Sequence, residues 1–486
     1  MYLRDFLIQD IRCFERVELE FPHVGEDYSG WIVLLGGNGM GKSTLLQAMA
    51  ISLVGPLAGQ RLLLNPDGWV RQGKEYGELA GSIVQGDDDV AWKLPSTRSP
   101  VVFVPAEKRK QPYEVRLAVT GREPVVLNAT RYDQPQLVPL LVDERALLSG
   151  PYAAGNPGWF SCGYGPFRRL LGGTSEEFRL MSSIGREARY VTLFREGAAL
   201  THCLEWLSDL YIRSIDRNHP LRDRAGSALD AARRLIDSLL PGDVRVGGIN
   251  SESVSFRNGS GAEVSVLDLS DGYRSFLSLT IDILRRLDDE PPGANRGTPR
   301  MHHGLSSWME DEDGEPRITA GGIVLIDEVD AHLHPSWQRE IGFRLRRVFP
   351  RMQFIVTTHS PFVAQAASDG GLFVLRATAP GKAVEVEQPL DSVKGWRVDQ
   401  ILTSPLFGLD ATRDEETEAL IRKHAELVAR RTWGKLTRAE GQQLARLTEM
   451  LDDRLTAPGE TAEERELQAK TAAFIRTALE RRKAKK

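Results

Sequence analysis

Cysteine is scarce: the 486 residues contain three, Cys13, Cys162 and Cys203, each standing alone. That excludes a disulfide-stapled scaffold and the paired spacing of a zinc site, and all three read as structural. Also missing is any uninterrupted apolar run near the roughly 20 residues needed to span a bilayer. The opening MYLRDFLIQD lacks the charged-then-apolar order of a signal peptide. These absences lead us to expect a cytoplasmic chain without a membrane partner. Positive charge is not in excess either. A net charge of -5 argues against a wholly basic nucleic-acid binder, though it leaves room for a local patch. No internal repeat and no long heptad run is present, which excludes a solenoid and an extended coiled coil. What remains is globular, with 41% hydrophobic and 27% charged residues over a length suited to two or three structural units.

The alternation in MYLRDFLIQDIRCFERVELEF predicts two antiparallel strands joined near Arg12 to Phe14. WIVLLG is continuously apolar, as in a strand buried on both faces, and leads through a glycine-rich turn into the helical pattern STLLQAMAISLV. Short alternating segments such as ELAGSIVQ and YEVRLAVTG predict a strand-rich arm, after which residues 134–240 turn helical, most clearly in GAALTHCLEWLSDLYIRSI and SALDAARRLIDSLL. The Pro-, Gly- and acid-rich stretch over 288–322 reads as a mobile surface loop. GIVLIDEVD and QFIVTTHS are again buried strands, ending in carboxylates and in polar groups respectively. Three such strands with chemistry at their C-terminal ends predict an α/β sheet with its site along that edge.

Gly36, Gly37, Asn38, Gly39, Met40, Gly41, Lys42, Ser43 and Thr44 satisfy G-x-x-x-x-G-K-S/T between a strand and a helix. In that setting glycines let successive backbone N–H groups and the helix N-terminus face phosphate. Lys42 would reach the β and γ phosphates, and Ser43 would offer its hydroxyl to Mg²⁺. At the end of the acidic strand, Asp327 fits a second Mg²⁺ partner and Glu328 the group that orients and deprotonates an attacking water. ATP and Mg²⁺ are the implied ligands.

Leu269 to Ser275 reads LSDGYRS and precedes a helix. Alone, Ser-Asp-Gly is a common helix-opening turn. Between the phosphate loop and the acidic strand it is similar to the LSGGQ signature of ABC ATPases, with Gly272 kept, Asp271 replacing the first glycine and Tyr273 the glutamine. This variant resembles the SMC and RecF-like branch of that family rather than a transporter subunit. The resemblance implies that Ser270 and Gly272 contact a γ-phosphate held by the other protomer's loop, in an ATP-dependent head-to-tail homodimer, with a higher oligomer left open. It also implies that His359, in TTHSP, contacts and senses the γ-phosphate, and that Arg12 reaches nucleotide. The place of the family's glutamine loop is filled by Phe160 to Arg168, without a glutamine. Asp330 to Pro335 reads DAHLHP, and HLHP resembles OLD-like bacterial ATPases; His332 and His334 share a face on an extended segment, but no third metal ligand is evident.

The expected architecture is an α/β ABC-type P-loop nucleotide-binding fold. Its parts are a first lobe over 1–60, a strand-rich arm over 61–133, a helical subdomain over 134–260, a second lobe over 261–395, and a helical C-terminal region over 396–486. The stretch VDQILTSPLFGLDATRDEETEALIRKH is similar to that of ATP-binding proteins found beside nuclease partners, and the chain resembles the ATPase subunit of Septu-type anti-phage systems. That resemblance implies a nuclease supplied in trans, with an HNH-type enzyme as the expectation, since the last residues are chiefly helix-forming Arg, Glu, Ala and Leu. The competing reading is a stand-alone DNA-repair ATPase of the RecF kind, for which DNA would be the ligand. Basic clusters at Glu107 to Lys110, Arg168-Arg169 and Glu480 to Lys486 would serve it, although such runs are usually solvated surface. A transporter ATPase is disfavoured by the signature variant, the missing glutamine and the arm.

Overall fold

The computed structural model describes residues 1–63, 68–74, 77–84, 113–119, 124–131, 159–289 without 184 and 243, and 304–455 without 378, 380, 381, 390, 391, 433 and 435. Contacts divide the chain into two units, Met1–Ile401 and Leu402–Lys486.

The first unit holds two large sheets. Strands β1 (Tyr2–Ile11) and β2 (Phe14–Glu20) form the hairpin expected from their alternation, and β1 pairs on its other side with β4 (Gly77–Val84). Strands β5 (Tyr113–Val119) and β6 (Pro124–Arg131) extend this antiparallel sheet in the order β2-β1-β4-β5-β6. The strands of the arm thus continue the sheet begun at the N-terminus.

The second sheet carries the three apolar segments singled out above. They are β3 (Gly30–Gly36), β13 (Gly322–Ile326) and β14 (Met352–Thr357), joined by β7 (Ser161–Tyr164), β15 (Leu372–Ala377) and β16 (Val384–Glu387). Their order is β16-β15-β3-β14-β13-β7, with every pairing parallel except that of the edge strand β16. Strands covered on both faces need no polar alternation, which is why these read as solid apolar runs. Helix α1 (Lys42–Val54) lies between the sheets and is buried over most of its surface, with Leu45, Leu46, Met49 and Ile51 fully buried. Gln353, buried on β14, stitches the sheets together: its amide donates to the Leu3 carbonyl at 2.8 Å and accepts from the Leu3 N–H at 2.8 Å.

Helices α2 (His202–Ile215), α3 (Arg222–Leu239) and α4 (Asp271–Asp289) pack on one another beside a small sheet of β8 (Arg245–Ile249), β9 (Val254–Arg257) and β10 (Glu263–Ser265). The region expected to be helical from 134 therefore also supplies a core strand. β7 is four residues long with a glycine inside it, too short to show a period of its own.

The expectation of a loop over 288–322 needs correction. Its described part, 304–322, forms a 3₁₀ turn (Gly304–Trp308) and a hairpin of β11 (Met309–Glu312) and β12 (Glu315–Ile318), closed by Asp313 and Gly314 at positive φ. Leu305, Trp308 and Ile318 bury their side chains, anchoring a segment whose composition looks like linker.

The second unit has a helical hairpin of α5 (Glu415–Thr432) and α6 (Arg438–Leu455) around Leu427, Leu444 and Leu447. Contacts of Glu416 with Arg454, His424 with Thr448 and Arg430 with Glu440 fix the two helices as antiparallel. Among the described residues no helix is long and apolar enough to cross a membrane.

Candidate functional site

The chemistry gathers where β3, β13 and β14 end side by side. Beyond β3 the loop turns through Gly39 (φ 76°) and Gly41 (φ 81°), left-handed positions that glycine adopts without steric cost. At Gly41 a β-carbon would also sit 2.5 Å from the Cys13 sulfur and 2.7 Å from the Phe14 ring, so the hairpin turn bears directly on the loop. Lys42 opens α1, and its Nζ donates to the carbonyls of Gly36 (2.8 Å) and Gly37 (3.0 Å) and to Nε2 of His359 (3.0 Å). An ammonium only donates, so Nε2 accepts and the ring proton belongs on Nδ1. Burial pulls the Lys42 pKa down, and the nearby carboxylates of Asp327, Glu328 and Asp330 pull it back up. Ser43 follows on the first turn of α1, and Thr44 accepts a hydrogen bond from Arg12 at 3.0 Å. Arg12 (φ 46°) is itself stacked over Trp69 at 4.7 Å, which aims it at the loop.

The two acids differ in setting. Asp327 is buried, and its Oδ1 accepts from the Thr357 hydroxyl at 2.5 Å. Glu328 takes a left-handed backbone at φ 45°, unusual for a non-glycine residue, and its N–H donates to the same Thr357 hydroxyl at 2.7 Å. Thr358 in turn donates to Asp330. The paired threonines at the end of β14 thus hold the acidic turn, whereas the sequence pattern drew attention only to the neighbouring His359. A hydroxyl from Ser43 and a carboxylate from Asp327 make an oxygen donor set, which suits a hard divalent cation such as Mg²⁺. Among the described residues no cluster of three or more His, Cys, Asp or Glu could hold a metal by itself.

Ser270 and Gly272 stand where α4 begins. Ser270 is exposed, and its carbonyl accepts the first helical bond, from Arg274 at 3.0 Å. Gly272 is buried against the loop after the acidic strand, where a β-carbon would approach the His332 carbonyl to 2.5 Å. Tyr273, in the place of the signature glutamine, packs edge-on against Trp337 at 4.3 Å. Among the described residues no hydrogen bond joins Ser270 or Gly272 to the phosphate loop. His334 is structural, because its ring accepts from the Ser336 N–H at 3.3 Å and caps the helix Pro335–Val348.

Arg168 departs most from expectation. Read as part of a basic surface cluster, it is 4% exposed. Its guanidinium donates to Ser275 Oγ (3.0 Å) and to the carbonyls of Gly165 (2.9 Å), Asp327 (2.9 Å) and Glu328 (3.2 Å). Burial lowers its pKa to about 10 against the opposing pull of Asp327, Asp330 and Glu328. The clusters at Glu107 to Lys110 and Glu480 to Lys486 lie outside the described residues.

A family model described as "AAA domain, putative AbiEii toxin, Type IV TA system" matches residues 165–364, and one described as "AAA domain" matches residues 6–80. The chain is 25% identical over 417 residues to the Septu protein PtuA of Bacillus mycoides, across 86% of this chain and 46% of that protein. It is 41% identical over 113 residues to the Retron Ec83 probable ATPase of Escherichia coli, across 23% of this chain and 17% of that protein. The chain thus spans less than half the length of these curated relatives. Among solved structures, the SMC head bound to the C-winged helix domain of ScpA matches 80% of this chain and 98% of its own, with a TM-score of 0.44 and 13% identity. The phosphate-loop motif, the LSDG motif, the acidic strand and the histidine follow one another along a chain built on a parallel sheet, and the chain is similar to AAA-domain proteins that include the Septu protein PtuA and retron probable ATPases.

Proposed function

We propose that the chain binds and hydrolyses ATP between two head-to-tail protomers and thereby gates a nuclease supplied in trans during anti-phage defence. The observation that carries the catalytic part is the convergence of Lys42, His359, Asp327 and Glu328 on one phosphate loop, where Lys42 and His359 are already in contact at 3.0 Å. In this reading the loop N–H groups and Lys42 take up the phosphates. Ser43 and Asp327 hold Mg²⁺, which when bound supplies charge to offset the phosphate oxygens. Glu328 orients the attacking water and accepts its proton. His359 leans on the Lys42 ammonium and registers whether a γ-phosphate is present. Arg12 reaches the loop through Thr44. Ser270 and Gly272 complete the partner's site, consistent with the exposure of Ser270. The defence role rests on likeness to the Septu and retron proteins.

The deciding experiment compares Glu328→Gln with Asp327→Asn. Glutamine keeps the shape of Glu328 but not its basicity, so turnover should fall while ATP still binds, and the protein should accumulate as an ATP-dependent dimer. Asparagine at 327 weakens nucleotide placement and should give no trapped dimer. Light scattering with and without Mg-ATP, alongside phosphate release, reads both. Wild-type turnover by Glu328→Gln removes it as the base, and ATP-independent dimers in both variants remove nucleotide control of assembly. Co-purification from the native host, with mass spectrometry and nucleic-acid extraction, tests for the nuclease.

A further inference from the structure

We infer that Arg168 is a positioning residue for hydrolysis, holding the Glu328 backbone in its left-handed turn and tying that turn to the signature helix. The inference rests on the assignment of Glu328 proposed above.

β7 and β13 run parallel with Tyr164 beside Ile326, and the Asp327 N–H bonds the Tyr164 carbonyl at 2.8 Å. The chain leaving β7 is thereby laid next to the acidic turn and soon delivers Arg168. Glu328 then has its peptide gripped from both sides: its N–H by Thr357 Oγ1 at 2.7 Å, and its carbonyl by Arg168 at 3.2 Å together with the Ala331 N–H at 2.9 Å. A non-glycine residue at φ 45° stays there only when its surroundings over-determine it, and these three bonds do so, Arg168 supplying the one that reaches across from β7. The direction of the carboxylate follows from the backbone it stands on.

The other end of the clamp is α4. Arg168 Nε donates to Ser275 Oγ at 3.0 Å, and the Arg168 carbonyl accepts from Ser278 Oγ at 2.9 Å. Ser275 lies one turn into the helix that opens at the LSDG signature, so a displacement of that helix must act on Arg168. A planar five-donor fork can serve Ser275 and two adjacent carbonyls at once, whereas a lysine ammonium cannot reach in both directions. The backbone of Asp327 and Glu328 and the position of the signature helix are therefore held by one side chain.

The test uses the full chain with Arg168→Met, Arg168→Lys and Ser275→Ala, measuring ATP affinity, kcat and thermal stability, with Glu328→Gln in parallel. Positioning predicts that ATP affinity stays within about threefold while kcat falls by about tenfold or more in both Arg168 variants. Lysine should not rescue, and Ser275→Ala, which frees only the α4 end, should lower kcat less. Wild-type kcat in Arg168→Met overturns the inference, as does a loss of ATP affinity in step with kcat, which marks a purely structural role. Should the Arg168 variants fail to fold, Ser275→Ala decides, an unchanged kcat being the overturning result. If Glu328→Gln turns over normally, the failure lies in the base assignment; if it is inactive while Arg168→Met is not, only the present inference falls.

Discussion

At the scale of single residues, function and fold compete for the same glycine and lysine positions. Lys42 rests on two loop carbonyls and His359, which in the proposed function it would exchange for phosphate oxygens. Lys42→Ala should leave a folded protein that shows no ATP binding at concentrations saturating the wild type, and retained affinity in a nucleotide titration would overturn the phosphate-loop assignment. Gly272 separates two roles. Its approach to the His332 carbonyl means that Gly272→Ala should destabilise the nucleotide-free protein by about 1–3 kcal/mol, visible as a lower thermal midpoint. A glycine needed only by the partner's nucleotide would leave that midpoint unchanged. The residues that the structure brings together at the loop stand out in the sequence because a phosphate-binding reading asks for those types at fixed spacing. Arg168 does not, because two adjacent arginines look the same in sequence whether solvated or buried. What distinguishes Arg168 is its place beside the acidic turn, which the parallel pairing of β7 creates and no local pattern records.

At the scale of elements, α4 shows how the signature is attached. Ser275, Ser278, Asp282 and Arg286 recur at helical spacing and are all buried, so they form a polar seam along the buried part of the helix. Asp282 is its centre, accepting from Tyr164 Oη at 2.9 Å, Arg286 at 2.5 Å and Arg285 at 2.9 Å. Burial pushes this carboxyl up, but Arg286 and Arg285 outweigh it and hold the group at about 2, below the ordinary 3.8. A depressed pKa contributes stability that is complete above about pH 4 and is lost as pH falls through about 2. Asp282→Asn should therefore cost about 3–5 kcal/mol in urea unfolding at neutral pH, because it leaves Arg286 buried and uncompensated. Its stability should also fall less steeply than the wild type's between about pH 4 and pH 2, and an equal slope would show that Asp282 is not the group titrating there. Long periodic elements such as α2, α3 and α4 were readable from sequence. The hairpin β11–β12 was not, since four-residue strands of acidic residues carry a loop's composition and acquire their structure from Trp308 and Ile318 packing beneath.

At the scale of the whole molecule, one protomer gathers a phosphate loop, two acids and a histidine but leaves its signature serine exposed and unconnected to them. If each site joins one protomer's loop to the other's signature, damage to the two halves must complement in a predictable way. Ser270→Arg puts bulk and charge where the partner's γ-phosphate would lie, sparing nucleotide binding to its own loop, while Lys42→Ala disables the loop and spares the signature. Either variant alone has no intact site. In a mixed dimer one site carries both lesions and the other carries neither. Random exchange would make about half of all dimers mixed and return about a quarter of the sites, and because nucleotide-dependent closure disfavours both homodimers, about a quarter of wild-type turnover or more should return on mixing equal amounts. Phosphate release measured across a mixing series reads the recovery, with mixed dimers verified by differential tagging. Turnover that stays at zero while tagged mixed dimers are present would mean either that both sites must fire together or that the site is not shared. The two are separated by mixing wild type with Lys42→Ala: if both sites must fire together, turnover falls as the square of the wild-type fraction, whereas independent sites give a linear fall.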